Sequence, residues 1–415
     1  MSAAEGATAG DVAVMEYDMA AAAGAENPDA AAVISGGPGG GGGVSASPAA
    51  ESHIAAATTA FLQDLCSGLN REMAPHLSPE QVQDIASRLL APDAVIHADG
   101  LLHSVPPVSG PRGFFEFITQ ERAAYRTMSL DTLLLAVSPT GDASFALSRF
   151  KMKNVGPWHG KPATRQISEG VRIDELRFNE AGQVSEAWCN RQLFEEEREL
   201  LIREPSRHHA PAFDPSLLVP VPLPEAGQGG LTAPGQLLNT WNVVAAAGPP
   251  PDPDYLDALL EPDFILMDAL GFTGDDAQSH PYTAIRSLDD AKRVLLQMAH
   301  KYDIDEVVQN AAVKPGYNAV FAHWRARLTP RPPPPAAAGG SGSTVAADMA
   351  ATAGAAAAAG PYTAEAVDLL VFSPASGKLK AVFQFRKPLG SDRRFVLTDI
   401  APAGMPVVGV EGGDG

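Results

Sequence analysis

Polar side chains interrupt two apolar, strand-like runs at alternate positions. His97 and Asp99 lie in the first run. Glu186 and Asn190 lie on either side of Trp188 in the second run. Side chains two residues apart on a strand point to the same face, so the polar groups share a face with apolar neighbours. Because burying a carboxylate or an imidazole is costly unless it is paired, this pattern predicts a polar site on two strands.

The residue types at these positions suit acid–base chemistry. We predict that His97 and Glu186 form a catalytic acid/base pair, since burial raises the pKa of a carboxyl towards the range useful for proton transfer. We predict that Asp99, Trp188 and Asn190 bind the ligand, with the Asn190 amide on a carbonyl or oxyanion and the Trp188 ring stacked on it. Such a set suits proton abstraction beside a carbonyl, or hydration and dehydration.

The same residues are also compatible with roles that involve no catalysis. The polar groups could bind a ligand without chemistry, Asp99 could lie in the loop after the strand, and Glu186 could form a structural ion pair with Arg149 or Arg172. The ten histidines include no H-x-x-x-H pair and only two cysteines occur, so no metal site is predicted. No phosphate loop, nucleophile elbow or dinucleotide fingerprint is present, so no cofactor is expected.

The elements that must position these residues occur twice along the chain. Both copies begin with helical periodicity and end in four runs rich in Val, Ile, Leu and Phe, and Ser78 is a predicted helix N-cap. Four matched segments in the same order mark a tandem repeat: Leu89–Asp93 with Leu259–Asp263, Phe145–Arg149 with Phe321–Arg325, Ile173–Phe178 with Val367–Phe372, and Gly182–Trp188 with Gly377–Phe383. Helices first and an antiparallel meander last predict an α+β fold, with helices packed on one face of a curved sheet.

Comparison of the two copies suggests which strand face is the inner one. The second copy carries Met267 where the first has His97, and Ala381, Phe383 and Phe385 at the places of Glu186, Trp188 and Asn190. All four are apolar. We therefore interpret this face as the lining of a pocket, polar in the first copy and degenerate in the second.

Composition gives the domain boundaries. We predict a disordered acidic tail at 1–52, block one at 53–203, a Pro-rich linker at 204–230, block two at 231–402 and a disordered tail at 403–415. Block two contains a predicted disordered insert at 331–360, which we place in a hairpin loop. The alternative is a second interdomain linker, which would leave Gly316–Leu328 without a partner strand.

Charge and composition also restrict the partners. The formal charge is −19 over 415 residues, and residues 1–52 carry seven acidic and no basic side chains. Such a surface repels phosphate backbones and anionic lipids, so neither nucleic acid nor membrane is an expected partner. No apolar run is long enough to span a bilayer, and the N-terminus resembles neither a signal nor a transit peptide. We expect a soluble, cytoplasmic protein without disulfides.

Block one resembles the SnoaL-like branch of the NTF2-like superfamily. The resemblance is carried by four segments: Ala91-Pro92-Asp93, Gly110-Pro111, Trp158–Thr164 and Gly182–Trp188. It implies a cone-shaped α+β domain whose sheet wraps a pocket, in a family of isomerases, dehydratases, hydrolases, cyclases and non-catalytic modules. Several of its enzymes carry a general acid/base Asp shortly after the last-strand Trp; here Gln192 stands at that place, and Lys387 in block two.

These observations lead to two functional hypotheses. The first is a tandem SnoaL-like protein that binds a small, mainly apolar carbonyl-type ligand in the block one pocket, with cofactor-independent isomerase, dehydratase or cyclase activity left open. The alternative is a non-catalytic scaffold or protein-interaction module. Since domains of this fold often dimerise through their sheets, we also expect either an intrachain pseudo-dimer of the two blocks or a homodimer.

Overall fold

The computed structural model describes ten stretches of the chain: residues 47–67, 78–98, 107–157, 162–192, 213–221, 256–268, 285–293, 302–314, 316–331 and 362–386. Asp99, Lys387, most of the predicted tails and almost all of the predicted insert lie outside these residues. Within the described parts, no helix is long and apolar enough to cross a membrane.

Block one contains three helices and six strands among its described residues. They are α1 (Pro48–Ala60), α2 (Pro79–Leu89), β1 (Leu90–Ala98), β2 (Val108–Ser109), α3 (Gly110–Ala124), β3 (Tyr125–Val137), β4 (Ala143–Asn154), β5 (Ile167–Phe178) and β6 (Val184–Arg191). A π-helical segment, Phe61–Ser67, extends α1. The strands form one sheet, sheet one, in the order β2-β1-β6-β5-β4-β3.

Local sequence signals explain where the first two helices begin. Ser78 caps α2 with a complete capping box, in which its hydroxyl accepts from Gln81 N–H and the Gln81 side chain accepts from Ser78 N–H, as the sequence predicted. The Ser47 hydroxyl caps α1 by accepting from Ala50 N–H, and Pro48 occupies the first turn. The first helix therefore starts inside the segment 1–52, which composition had assigned to the tail, five residues before the predicted start of block one.

Block two repeats this arrangement. Its described elements are α4 (Leu256–Leu259), β7 (Leu260–Asp268), β8 (Tyr302–Val313), β9 (Ala319–Pro330), β10 (Tyr362–Phe372) and β11 (Leu379–Arg386), with helical residues at 288–293. The strands form sheet two in the order β7-β11-β10-β9-β8. In both sheets the first long strand runs parallel to the last, β1 beside β6 and β7 beside β11, while the meander pairs are antiparallel. The predicted α+β class is confirmed.

The segment predicted as an insert joins two neighbouring antiparallel strands. β9 and β10 pair from Leu328 with Tyr362 to Ala319 with Val371, so the chain between them closes a hairpin. Gly316–Leu328 therefore has a partner strand. If the segment 331–360 were a second interdomain linker, Gly316–Leu328 would have none.

Each face of sheet one packs against a different partner. The helices cover one face, where Phe61, Phe114, Ile96 and Ala187 belong to a common apolar core. The other face packs against sheet two in an interface core. Its fully buried centre is the stack of Phe145 on Phe321, with ring centroids 5.6 Å apart.

The predicted Pro-rich linker contributes to this interface. Phe213 packs its ring edge-on against Phe383 at 4.4 Å, and Leu217 and Leu218 are partly buried in the same core. Val221 N–H donates to the Gly316 carbonyl at 2.9 Å. The described part of the linker is therefore bound to block two.

Candidate functional site

A cavity opens between the helices and the concave face of sheet one. It measures about 630 Å³ including its open mouth. Most of its wall is apolar, formed by Ile96, Phe114, Phe117, Ile118, Leu130, Phe150 and Met152. A mainly apolar lining with a few polar groups is typical of small-molecule sites in proteins.

The polar floor of the cavity lies on β5 and β6. Arg172 reaches into the cavity and forms a two-pronged ion pair with Asp174, whose Oδ2 accepts from Arg172 Nε at 2.7 Å. The two residues are neighbours on one face because they are two apart on β5. Burial by itself lowers the pKa of the Arg172 guanidinium, but the Asp174 carboxylate raises that pKa well above its ordinary value. The floor is thus a fixed cation whose charge a fully buried carboxylate compensates.

Both cysteines of the chain line this cavity. Cys66 comes from the π-helical segment and Cys189 from β6, where it pairs with Asp174 across the sheet. Burial raises the pKa of the Cys66 thiol to about 12 and raises that of Cys189 well above its ordinary value. Both thiols are therefore protonated and unreactive at neutral pH.

The predicted acid/base pair is brought together by the β1–β6 pairing. His97 Nε2 lies 3.1 Å from Glu186 Oε1, and the His97 ring stacks on Trp188 with centroids 4.9 Å apart. Asn190 is buried on the same strand. Glu186 also accepts from Arg177 at 3.3 Å, so its cationic partner is neither Arg149 nor Arg172.

The face assigned to these residues from the sequence needs correction. Trp188 belongs to the core between the two sheets, whereas its neighbours Ala187 and Cys189 face the helices and the cavity. His97, Glu186, Trp188 and Asn190 therefore lie on the opposite side of sheet one from the cavity. The sequence comparison assigned the pocket to the wrong face of the sheet. The matching residues in block two are apolar because they too are buried between the two sheets. The catalytic and ligand-binding roles of these four residues, and of Asp99, stay predictions.

Sequence reasoning missed Arg172 and Asp174 as candidate site residues. The signal was present, because two opposite charges at alternate positions of an apolar strand must share a buried face. The recurrence of Asp174 as Asp368 had entered only as evidence for the repeat. Asp368 is buried in block two and accepts from Trp324 Nε1 at 2.8 Å.

The geometry limits what the site can hold. Among the residues placed by the structure, no group of three or more His, Cys, Asp or Glu side chains is arranged to bind a metal ion. The Arg172 guanidinium can donate to a ligand oxygen, and Glu121 is the carboxyl group at the cavity wall. The arrangement thus suits an apolar ligand with a polar oxygen.

No protein-family model and no curated protein matches the chain. Among solved structures, it is similar to a putative SnoaL-like polyketide cyclase from Jannaschia sp. CCS1, with 16% identity, a TM-score of 0.29 and coverage of 35% of this chain and 89% of that one. A putative polyketide cyclase from Xanthomonas campestris has 15% identity, a TM-score of 0.27 and coverages of 34% and 91%. A Mycobacterium tuberculosis LEH-like epoxide hydrolase has 10% identity, a TM-score of 0.25 and coverages of 37% and 84%.

Each match spans about a third of this chain and most of the other protein. The element order and strand pairing are the same in both blocks, with the first long strand parallel to the last and a meander completing the sheet. The chain thus contains two tandem copies of one α+β arrangement of helices and a mixed sheet.

Proposed function

We propose that block one binds a small, mainly apolar ligand through a carbonyl-type oxygen, in the cavity between its helices and sheet one. The observation that carries this proposal is the Arg172–Asp174 pair on the floor of a mainly apolar cavity, whose other polar lining residues are Glu121, Thr127 and Arg191. A buried ion pair is a poor way to stabilise a core, since apolar residues of similar volume do as well or better. Its position at a cavity therefore favours a role in binding.

The state of the guanidinium favours a neutral ligand. Arg172 carries five N–H donors, and Asp174 engages two of its nitrogens in a fork. Arg172 also hydrogen-bonds the Cys66 thiol, and its other N–H groups can donate to an oxygen in the cavity, while Asp174 compensates the positive charge. A carbonyl gains a charge-assisted hydrogen bond there without bringing a second negative charge beside Asp174.

Acetophenone and ethylbenzene test the proposal, because they differ in the carbonyl oxygen and little in shape. We expect the full chain to bind acetophenone more tightly by about ten- to a hundredfold, the value of a hydrogen bond to a charged donor. The measurement is isothermal titration calorimetry. The matched control is the double variant R172M/D174L, which removes the pair without leaving a buried charge and should bind both compounds equally.

Two outcomes would count against this function. Equal affinity of the unaltered chain for both compounds would remove the carbonyl from the proposal. No binding of either compound, or of any small apolar molecule, would favour the non-catalytic scaffold that the sequence left open.

A second candidate is proton transfer by His97 and Glu186. The observation that favours it is their 3.1 Å contact, with 19% of the His97 and 32% of the Glu186 side chain exposed. Native mass spectrometry of the full chain and of Glu186→Gln tests it, with Arg172→Met/Asp174→Leu as the comparison. If the unaltered chain retains a small molecule that only Glu186→Gln loses, the result would support this site. If only the double variant loses it, the molecule binds in the cavity.

We also propose that block two serves as the structural partner of block one, in an intrachain pseudo-dimer. The apolar interface core, the Phe145–Phe321 stack and the docked linker segment support this arrangement. In this role block two needs no polar pocket of its own.

A further inference from the structure

A buried histidine lies where the two sheets meet. His323 is on β9 of block two and is 1% exposed. Its Nδ1 lies 2.6 Å from Oε2 of Glu175, a fully buried residue on β5 of block one. Its Nε2 lies 3.3 Å from Oε1 of Glu365 on β10 of block two. One ring thus connects a carboxylate from each block.

The protonation state of this ring follows from its neighbours. An ionised carboxylate can only accept hydrogen bonds, and a neutral imidazole has a single N–H. The neutral ring would therefore point a lone pair at one of the two carboxylates, whereas the imidazolium presents an N–H and a positive charge to each of them. We infer that His323 is a buried imidazolium that holds the two blocks together, and that docking of sheet two on sheet one depends on its proton.

The surrounding charges agree with this inference. Glu175 accepts from Arg177 Nε and from Asn310 Nδ2, each at 3.1 Å. Glu365 accepts from Arg325 at 2.8 Å, and Arg177 also pairs with Glu186. Among these side chains, three carboxylates face two guanidiniums, and the imidazolium supplies a third positive charge. Loss of its proton would leave an excess negative charge in the interface.

Trp188 separates this histidine from the second one in the region. Its ring meets His323 edge-on at 4.7 Å and stacks on His97 at 4.9 Å, while the Arg177 guanidinium lies 4.4 Å from its centre. His97 is partly exposed and contacts Glu186. It contacts the cluster at Glu186 and stacks on Trp188, so a His97 variant tests whether an effect belongs to His323 itself.

The pKa shifts have the same direction. Burial lowers the pKa of His323, but the hydrogen bonds and charges of Glu175 and Glu365 raise it above its ordinary 6.5 overall. Burial raises the pKa of Glu175, but His323, Arg177 and Asn310 bring it below its ordinary 4.5. The stabilisation from His323 is complete below its ordinary pKa and is lost as pH rises through the raised value. The stabilisation from Glu175 is lost as pH falls below the ordinary pKa of a Glu carboxyl. Docking is therefore most stable at pH values between the titrations of Glu175 and His323.

Long-range ¹H–¹⁵N correlation spectra of the full chain with labelled histidine test the inference directly. At about pH 7 the spectra should contain a histidine ring with both nitrogens protonated, and His323→Gln should remove that signal. In Glu175→Gln the same ring should titrate at lower pH. A His323 ring with one bare nitrogen at pH 7 would overturn the inference, whatever ligand the cavity takes.

A stability profile gives a second readout. The urea midpoint of the full chain should fall as pH rises above the ordinary pKa of histidine, and His323→Gln should lose most of that fall. His97→Gln, which removes the other imidazole on Trp188, should keep it. An unchanged pH profile in His323→Gln would contradict the proton-dependent contact. If His323→Gln does not fold, the Glu175→Gln titration by NMR still decides between the two protonation states.

Discussion

At the scale of single residues, the candidate site depends on an ion pair in which each residue compensates the charge of the other. Asp174 is fully buried and Arg172 is 17% exposed. Either one, left without the other, would be an uncompensated charge on the concave face. The pair therefore acts as a unit, and single and double substitutions should have very different effects.

Asp174→Leu should destabilise the chain by about 3–5 kcal/mol, since it leaves the Arg172 guanidinium buried without its carboxylate. The double variant R172M/D174L should lose much less, because no charge remains. Urea denaturation monitored by circular dichroism measures both. Equal losses in the single and double variants would show that packing, rather than charge, dominates at this position.

The cavity thiols provide a second residue-scale prediction. With a pKa of about 12, Cys66 should react with iodoacetamide at pH 8 on the order of a thousandfold more slowly than a thiol at the ordinary 9.0. Mass spectrometry of Cys189→Ser, in which Cys66 is the remaining cysteine, gives the rate. The same variant in urea should react at the ordinary rate. A fast reaction in the folded chain would mean that the thiol is not desolvated by the cavity wall.

At the scale of elements, equivalent hairpins in the two blocks differ in what surrounds them. The turn before β6 contains Gly182 and the turn before β11 contains Gly377, both with φ of +73°. A Cβ on Gly182 would lie 2.6 Å from Cε1 of His53 on α1, whereas one on Gly377 would meet nothing within 4 Å. The backbone requirement is shared, but among the described residues only the first turn packs against a helix.

Gly377→Ala should therefore cost about 1 kcal/mol from left-handed strain alone. Gly182→Ala should cost more, because the imidazole of His53 must also move. Thermal unfolding of both variants measures this difference in stability. The extra loss should disappear when Gly182→Ala is introduced into His53→Ala, that is, when H53A/G182A is compared with His53→Ala. If both glycine variants lose the same stability, α1 does not restrain the turn.

At the scale of the whole molecule, each block covers an apolar sheet face of the other. Phe145, Leu147, Ile173 and Trp188 of sheet one are buried in the interface core with Phe321 of sheet two. A block separated from its partner would expose this patch to water, and large exposed apolar patches drive association.

Residues 47–203 produced alone should consequently self-associate or lose stability relative to the full chain. The replacement of Phe145 by Asp in the fragment should reduce self-association by placing a charge at the centre of the patch. Analytical ultracentrifugation gives the oligomeric state. A monomeric fragment as stable as the full chain would contradict the pseudo-dimer.

Much of the architecture was predictable because it depends on local patterns. The Ser78 cap, the strand runs, the two tandem blocks and the pairing of β9 with β10 follow from short-range sequence signals and their repetition. The contact of His97 with Glu186 was predictable as well, because residues at alternate positions share a face and β1 lies beside β6. Backbone geometry alone imposes these relations.

Only the tertiary structure decided which side of sheet one faces the cavity. Strand parity places Glu186 with Trp188 and Ala187 with Cys189, but it does not say which pair the helices cover. An apolar face usually marks the inside of a domain, yet both faces of sheet one are buried, one by helices and the other by sheet two. Two contacts show which face of sheet one packs against sheet two: Phe145 with Phe321, and Glu175 with His323. Each contact joins residues far apart in sequence, so local patterns carry no information about it.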